Sequence, residues 1–232
     1  MYLSQDKVGI GEILAGIDFH SDNQRRYKFP AGKEGRDLAK TFIFRAIYLG
    51  PAYAYANDPR FMGVSSSEKF WQGVIDATFE KYNGLHAWHT KIIQQVNATG
   101  KLANPTGRVY EFKRNKRGEY PQRNIANYPV QGLGAEFMAI ARVTARQRYN
   151  KFYLKDQMLF VNTVHDSIVV DADVGEGSKE LADTCIWLED IFSSVPRNFE
   201  RVFGSKMNVP LAGECKYGLN WFDMKKFEGA KK

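Results

Sequence analysis

The apolar pattern of the chain changes character once, and that change limits the folds available to it. Before about Gly100 the apolar residues recur with helical spacing, whereas beyond Arg123 helical stretches alternate with short β-branched runs that suit strands. Helices followed by a mixed region are typical of the α+β class, with an antiparallel sheet covered by helices. Because 44% of the 232 residues are hydrophobic, the chain can bury a core and form one domain or two coupled subdomains.

Start and stop signals predict five helices and one hairpin. The expected helices cover residues 36–48, 68–82, 86–98, 133–149 and 183–203, the last interrupted at Pro196. Residues 158–164 and 167–170 suit the two strands of a hairpin. Residues 100–120 are rich in Gly, Asn, Pro and basic side chains, which suits an exposed connection or a loose hairpin.

Charge and cysteine content narrow the class of protein. A net charge of +7 and a pI near 9.3 favour a polyanionic partner. Cys185 and Cys215 are the only cysteines, and without zinc-site spacing or a secretory context we expect reduced, packed thiols. Since the N-terminus has no signal-peptide pattern and the most apolar later stretch is broken by Arg45, Gly50 and Pro51, we expect a cytoplasmic protein with no membrane partner.

Two helical stretches carry functional side chains at steps of four. Arg36, Lys40, Phe44 and Tyr48 form one drifting stripe, whose cations could hold a triphosphate while its rings stack on a base; the alternative is a solvated edge beside a packed core. Hydrogen-bond donors follow at Arg123, Asn127 and Gln131. They suit the acceptors that every base pair shows in the minor groove, or simply a wet helix face. Pro129 is expected to kink or interrupt this helix.

Three further groups have less specific patterns. The stretch TGRVYEFKRNKRG suits either phosphate contact or a soluble loop, through the cations Arg108, Lys113, Arg114, Lys116 and Arg117. His86 and His89 lack a third metal ligand, so we expect surface or packing residues. In NTVHDSIVVD, Asp166 sits between two β-branched runs, where an acid can bind a metal ion or simply favour the turn.

The stretches RDLAKTFIFRAIY, RNIANYPVQG and VHD occur in the order and approximate spacing of the family A DNA polymerases, the bacterial repair polymerase and its phage and mitochondrial relatives. The chain resembles the fingers and the C-terminal part of the palm of that family over most of its length. The resemblance implies a palm edge at residues 1–9, helical fingers at 10–122 and a C-terminal palm at 123–232. It also implies template-directed transfer of deoxynucleotides from dNTP to a primer 3′-hydroxyl, in the cytoplasm of the host if the chain is phage-encoded.

Carried over by position, the resemblance assigns roles to the same residues. Arg36 and the catalytic candidate Lys40 would contact the triphosphate, Phe44 would lie beside the sugar, and Tyr48 would pack against the nascent pair. His20 in GIDFH matches the D-x-H element of the family and would face the phosphates, although a surface loop histidine is the alternative.

The remaining roles concern DNA and metal. Arg123, Asn127 and Gln131 would follow the primer-template minor groove, and the basic stretch would contact phosphates. His165 would position the primer terminus or only pack beside the turn. Asp166 would be one of two carboxylates that hold a pair of Mg²⁺ ions, one activating the primer hydroxyl and one stabilising the leaving pyrophosphate.

The second of those carboxylates has no counterpart in the sequence. Family A enzymes carry it in a D-[YF]-S-x-x-E-x-R strand just before a stretch resembling YLSQDKVGIGEILAGIDFH, and no such motif occurs in the 232 residues. The expectation is the C-terminal subunit of a split polymerase, whose N-terminal partner supplies this motif, the thumb and any exonuclease. The alternative is a non-catalytic remnant that clamps DNA. Cutting of the gene by an intron or intein would give the same fragment and still favour the enzyme.

Three positions depart from the family pattern. Ser167 stands where the family has Glu after His-Asp, which removes a negative charge from the metal turn. Arg45 and Leu49 stand where the family has glycine, so we expect a narrower or differently hinged space for a template base, with Gly50 as a candidate to compensate.

Overall fold

Residues 1–229, the part of the chain that the structure describes, form nine α-helices and three two-stranded antiparallel sheets in this computed structural model. The helices are α1 (Lys7–Leu14), α2 (Phe19–Arg26), α3 (Gly32–Ile47), α4 (Tyr53–Ala56), α5 (Glu68–Lys81), α6 (Asn83–Thr99), α7 (Gln122–Tyr149), α8 (Lys179–Ser193) and α9 (Val195–Phe203). The strand pairs are β1 (Lys101–Ala103) with β2 (Val109–Glu111), β3 (Met158–Val164) with β4 (Ser167–Ala172), and β5 (Lys216–Tyr217) with β6 (Lys225–Lys226). The predicted α+β class is confirmed.

The five predicted helices are all present, with local signals at their ends. The Ser67 hydroxyl caps α5 by accepting from the Phe70 amide at 3.3 Å, and Gly100 ends α6 in the left-handed region with φ of 71°. The predicted break near Pro196 separates α8 from α9, since proline fits the first turn of a new helix but not the interior of one. Residues 100–120 include the β1–β2 hairpin, one of the two forms that the sequence allows.

One prediction about a helix is wrong. Helix α7 begins at Gln122 rather than near residue 133, and Pro129 lies inside it without interrupting it. Proline removes a single amide donor, and the helix around it is stabilised by burial of Ile125 and Ala126. The Pro129 carbonyl gains a donor from Asn104 Nδ2 at 3.1 Å, which adds a tertiary contact at this turn.

The described chain divides into two compact units, residues 1–131 and the residues from Gly132 onward. The core of the first unit is a cluster of aromatic rings. Trp71 of α5 stacks on Tyr55 with ring centroids 5.3 Å apart, and Phe42 of α3 lies 5.2 Å from Tyr55. Because α3 buries Ala39, Phe42 and Ala46 here, its opposite face points toward solvent.

The second unit is built around the last turns of α7. Ala141 and Ala145 of α7 pack with Ile191 of α8 and Val195 of α9, all buried. The β3–β4 hairpin covers this cluster with half-buried Phe160 and Ile168, while Leu159, Val161 and Asp171 are exposed to solvent. Both strands lie where they were predicted, and β4 continues to Ala172.

None of the helices within residues 1–229 combines the length and apolar composition needed to cross a lipid bilayer.

Candidate nucleotide and nucleic-acid site

The predicted stripe lies on the outer face of α3. Lys40 and Phe44 are exposed, Arg36 and Tyr48 are half-buried, and the buried residues of α3 occupy the other side of the helix. Phe44 keeps 46% of its surface exposed. The cations at the start of the stripe and the aromatic rings at its end therefore lie on the same accessible face of α3.

Arg36 forms an ion pair with Asp18, an acid of the GIDFH stretch for which no role was predicted. Arg36 Nε donates to Asp18 Oδ2 at 2.9 Å, and the guanidinium holds the pKa of Asp18 well below its usual range. Asp18 also caps α2, since its Oδ1 accepts from the His20 amide at 3.0 Å. The Asp-x-His spacing marks Asp18 as a candidate helix cap, but the sequence does not state that the same carboxylate pairs with Arg36.

His20 lies beside the stripe. Its ring centroid is 6.0 Å from that of Phe44, and its Nδ1 is buried without a hydrogen-bond partner among the described residues. Burial and the neighbouring Arg36 charge lower the pKa of His20, so the imidazole is neutral at pH 7. A neutral imidazole beside two cations can donate to a phosphate oxygen without adding further charge.

The aromatic end of the stripe meets the start of α7. Gln131 Nε2 donates to Tyr48 Oη at 3.1 Å, which joins the last residues of the two four-step motifs. A cavity of about 360 Å³ opens beside Tyr48, with polar walls on one side and the turn after α3 on the other. Its lining residues are Arg45, Tyr48, Gly50, Pro51, Ala54, Arg123, Asn124 and Asn127. Asn124 was not among the predicted site residues. It lines the cavity because it follows Arg123 on the same helical turn.

In the turn after α3, a residue other than glycine has a left-handed backbone conformation. Leu49 has a φ of 58°, whereas Gly50 is not among the described residues with positive φ. Gly50 is needed for space instead, because an added Cβ would lie 2.3 Å from Arg45 Cγ. The two departures from the family pattern therefore meet at one turn.

Arg45 forms a wall of the cavity, but its charge is directed into the fold. One guanidinium nitrogen donates to the Ala54 carbonyl and the other to Asp58 Oδ2, both at 2.7 Å. The guanidinium lies 4.9 Å from the centroid of the Tyr55 ring, within the range of a cation–π contact. Arg60 shares the Asp58 carboxylate, and the two arginines hold the pKa of Asp58 well below its usual range.

The basic stretch around residue 113 forms an exposed loop after β2. Lys113, Lys116 and Arg117 point to solvent, and Arg108 is exposed at the turn before β2. Arg114 is fixed within the loop, since its guanidinium donates to the Gly118 carbonyl at 2.6 Å and lies 4.3 Å from the Tyr120 centroid. Most of these cations are thus accessible, while Arg114 is held by contacts within the loop.

Asp166 stands at the tip of the β3–β4 hairpin in the second unit. His165 and Asp166 form a two-residue turn closed by the pairing of Val164 with Ser167, and only His165 has positive φ, at 49°. Ser167 Oγ donates to the Val164 carbonyl at 2.8 Å, so this residue braces the turn instead of adding a charge. Both His165 and Asp166 are exposed.

The Asp166 carboxylate makes no hydrogen bond or ion pair with other residues in the range 1–229, so its oxygens are accessible to a hard cation. No group of three or more His, Cys, Asp or Glu in that range could hold a metal ion. Asp166 alone could supply one ligand to a metal ion. His86 is exposed and His89 is buried, which confirms the expectation of surface or packing residues.

Residues 2–223 match the model of DNA polymerase family A. The chain belongs to this family. Family A DNA polymerases generally use divalent metal ions, the kind of ion that an exposed carboxylate such as Asp166 can ligate.

Curated relatives of this family A chain are bacterial and phage polymerases. DNA polymerase I of Caldicellulosiruptor bescii is 26% identical over 235 residues, covering 97% of this chain and 25% of that protein. DNA polymerase I of Treponema pallidum is 24% identical over 232 residues, covering 96% of this chain and 21% of that protein. The DNA polymerase of Bacillus phage SP01 is 23% identical over 199 residues, covering 82% and 20%.

The same fold is found in a solved structure, the POL domain of Pol1 from M. smegmatis in complex with DNA primer-template and dNTP. The two share a TM-score of 0.69 and 21% identity over 90% of this chain and 35% of that chain. This family A chain spans between a fifth and a quarter of the length of the relatives described above.

Proposed function

We propose that this chain is the C-terminal subunit of a split DNA-dependent DNA polymerase, which adds dNTP units to a primer 3′-hydroxyl. The observation that carries the proposal is the 3.1 Å hydrogen bond between Gln131 and Tyr48, which joins the two four-step motifs at one cavity. A nucleotide-gripping face and a minor-groove face that meet in this way suit the checking of a new base pair by its shape.

In this proposal the outer face of α3 binds the incoming nucleotide. Arg36, Lys40 and neutral His20 contact the triphosphate, where two cations near the start of a helix add to its positive end. Phe44 lies beside the sugar and Tyr48 packs against the nascent pair. Nucleotide binding has to compete with Asp18 for Arg36, since the two residues form an ion pair at 2.9 Å.

DNA contact uses exposed donors and cations. Arg123, Asn127 and Gln131 follow the minor groove, and the groups that contact phosphates are Arg108, Lys113, Arg114 and Arg117. Exposure of Arg123 and Gln131 on α7 supports the first role, and exposure of the loop cations supports the second. His165, exposed beside Asp166, positions the primer terminus.

Asp166 would hold divalent metal together with a carboxylate that the proposed partner chain supplies; within residues 1–229 no group of three or more His, Cys, Asp or Glu could hold the ion. When bound, two Mg²⁺ ions would activate the primer hydroxyl and stabilise the leaving pyrophosphate. The chain itself positions the Asp166 carboxylate, because the paired strands fix the turn and leave the carboxylate exposed.

The test is a primer-extension gel on the chain alone, on the chain with a second chain that carries the D-[YF]-S-x-x-E strand, and on Asp166→Asn with that second chain. Extension is expected only in the second sample. Asp171→Asn is the matched control, because Asp171 is an exposed acid on the same hairpin and should leave extension unchanged. Extension by the highly purified chain alone, or full activity of Asp166→Asn, would refute the split metal site.

The roles of α3 and α7 are tested separately. Lys40→Ala and Arg36→Ala should weaken dNTP use much more than DNA affinity, with Lys33→Ala, on the same helix, as the control cation. Alanine at Arg123, Asn127 or Gln131 should slow extension by about 1 to 3 kcal/mol of transition-state stabilisation, roughly one to two decades in rate. Equal loss of dNTP use and DNA affinity would count against the first role, and unchanged extension by all three variants against the second.

A non-catalytic clamp is the second candidate, and the solitary Asp166 favours it. Both functions predict salt-sensitive binding of primer-template DNA through the exposed cations. They differ in the reconstituted gel, because a clamp gives no extension with any partner.

A further inference from the structure

The only two cysteines of the chain lie in one unit, on segments that pack against each other. Cys185 is on α8 and almost fully buried, with 1% of its surface exposed. Cys215 is half-buried, immediately before β5. Neither cysteine has a place in the proposed polymerase function.

Backbone contacts fix the Cys215 segment along α8 independently of the thiols. The Cys215 amide donates to Glu189 Oε1 at 3.0 Å, and Glu189 lies one helical turn after Cys185. Gly213 packs so closely on α8 that an added Cβ would lie 2.8 Å from the Phe192 ring. Leu211 joins the cluster formed by α7, α8 and α9. The segment before β5 is therefore held beside the helical turn that carries Cys185.

The two thiols influence each other: their interaction lowers the pKa of Cys185, and together with burial it raises the pKa of Cys215. Of the two, Cys185 therefore loses its proton more readily. The Cys215 sulfur also lies 3.9 Å from the Lys216 carbonyl oxygen, so it has a second weak contact on its exposed side.

We propose that Cys185 and Cys215 form an oxidation site at which a small peroxide closes an intramolecular disulfide between α8 and the segment that leads into the β5–β6 hairpin. The site is independent of the polymerase proposal. The hairpin loop between β5 and β6 exposes the apolar side chains of Leu219, Trp221 and Phe222, and the disulfide would fix the start of this hairpin against α8.

The chemistry balances with hydrogen peroxide as the oxidant. The Cys185 thiolate attacks one peroxide oxygen, so an S–O bond forms, the O–O bond breaks, and hydroxide leaves and takes the Cys215 proton to become water. The Cys215 thiolate then attacks the Cys185 sulfur; the S–S bond forms, the S–O bond breaks, and the departing hydroxide takes the proton that Cys185 had released to solvent. Two thiols are oxidised to a disulfide and one peroxide is reduced to two waters.

A small oxidant is required by the burial of Cys185. A bulky disulfide such as oxidised glutathione cannot reach a sulfur in a residue that is 1% exposed, and Cys215, which is reachable, keeps its proton. We therefore expect sulfenic acid to form at Cys185 first and Cys215 to attack it second.

The experiment uses the purified, reduced full chain, treated with hydrogen peroxide and then alkylated under denaturing conditions for intact-mass measurement. The expected result is a monomer that has lost both alkylatable thiols together and two hydrogen atoms, and that recovers both thiols after dithiothreitol. Independent oxidation of single thiols, a disulfide-linked dimer, or two unreacted thiols would each overturn the proposal.

Two matched variants test the order of steps. With dimedone present during oxidation, Cys215→Ser should accumulate the adduct at Cys185, because the sulfenic acid has no resolving thiol. Cys185→Ser removes the group that raises the pKa of Cys215 most, so it serves as the control that cannot form the intramolecular disulfide. Absence of an adduct at Cys185 in Cys215→Ser would refute the assignment of Cys185 as the attacking thiolate, while the wild-type mass result stands without either variant.

Discussion

Replacing Arg45 with alanine should destabilise the first unit at the turn after α3. The Arg45 side chain is only 24% exposed, and its guanidinium donates to the Ala54 carbonyl and to Asp58 Oδ2, both at 2.7 Å. It also lies 4.9 Å from the Tyr55 centroid, in the aromatic core. A single substitution removes all three contacts.

The expected magnitude follows from those contacts. Each hydrogen bond that involves a charged group contributes about 1.5 kcal/mol at the low end of its range, and a partly buried cation–π contact adds about 0.5 to 1 kcal/mol. Asp58 keeps Arg60 as a partner, so no unpaired buried carboxylate is left behind. Because alanine also frees the rotamer entropy of a long side chain, about 1.5 to 2 kcal/mol, about 1.5 to 2.5 kcal/mol of the free energy of unfolding should be lost.

Native-state hydrogen exchange on peptides that cover α3 and α5 reads this loss locally, without interference from the second unit. Arg60→Ala is the matched control. Arg60 binds the same Asp58 carboxylate at 2.7 Å but is 59% exposed, so its removal should change the free energy of opening by less than about 1 kcal/mol. An equal decrease in the free energy of opening in the two variants, or no decrease for Arg45→Ala, would refute the inference that the buried contacts of Arg45 stabilise this turn.

Two further predictions concern the neighbourhood of α3. Leu49→Gly should leave the free energy of unfolding within about 1 kcal/mol of the parent. Leu49→Val should lower it by more than about 1 kcal/mol, because β-branched residues tolerate a φ of 58° poorly. Unfolding of both variants in urea measures the two values. Burial lowers the pKa of His89 to about 4, so the unfolded chain binds more protons than the folded chain from pH 6.5 down to about 4. The free energy of unfolding should therefore fall as the pH is lowered through this window, by up to about 3 kcal/mol, and pH-dependent unfolding of His89→Phe should show a shallower fall; an unchanged slope would contradict the assignment to His89.

Elements whose signals are local could be predicted from the sequence. Ser67 before a periodic stretch, Gly100 after one, and His165-Asp166 between two β-branched runs each act within a few residues. The α3 stripe belongs to the same class, because a spacing of four residues determines a helix face once the helix exists.

Elements that depend on distant partners could not be predicted. Helix α2 has the polar sequence FHSDNQRR, without an apolar period, and it is held by Lys81, which reaches Asp22 at 2.9 Å and Glu12 of α1 at 2.7 Å. Within the site the same limit applies to the pairing of Asp18 with Arg36. Nothing in a sequence states which of several acids an arginine will reach, so the face of α3 was predicted but its ion pair was not.

Arg45 and Leu49 stand at the two positions where the family pattern has glycine. These two differences are best explained as one linked change. Gly50 donates its amide to the Arg45 carbonyl at 2.8 Å, and it lies so close to the Arg45 side chain that a Cβ would be 2.3 Å from Cγ and 2.9 Å from the carbonyl oxygen. A side chain at position 45 therefore requires glycine at position 50, and the left-handed turn at Leu49 brings the two together.

This link predicts a coupling that a double-mutant cycle can measure. Gly50→Ala should lower the free energy of unfolding by about 1 to 3 kcal/mol in the parent, because the new methyl group overlaps the Arg45 side chain. In an Arg45→Ala background Cγ is absent and only the carbonyl contact remains, so the same substitution should have a smaller effect, with a coupling energy of about 1 kcal/mol. If Gly50→Ala has the same effect in both backgrounds, then the overlap is absorbed by the backbone, and the two departures from the family pattern are independent of each other.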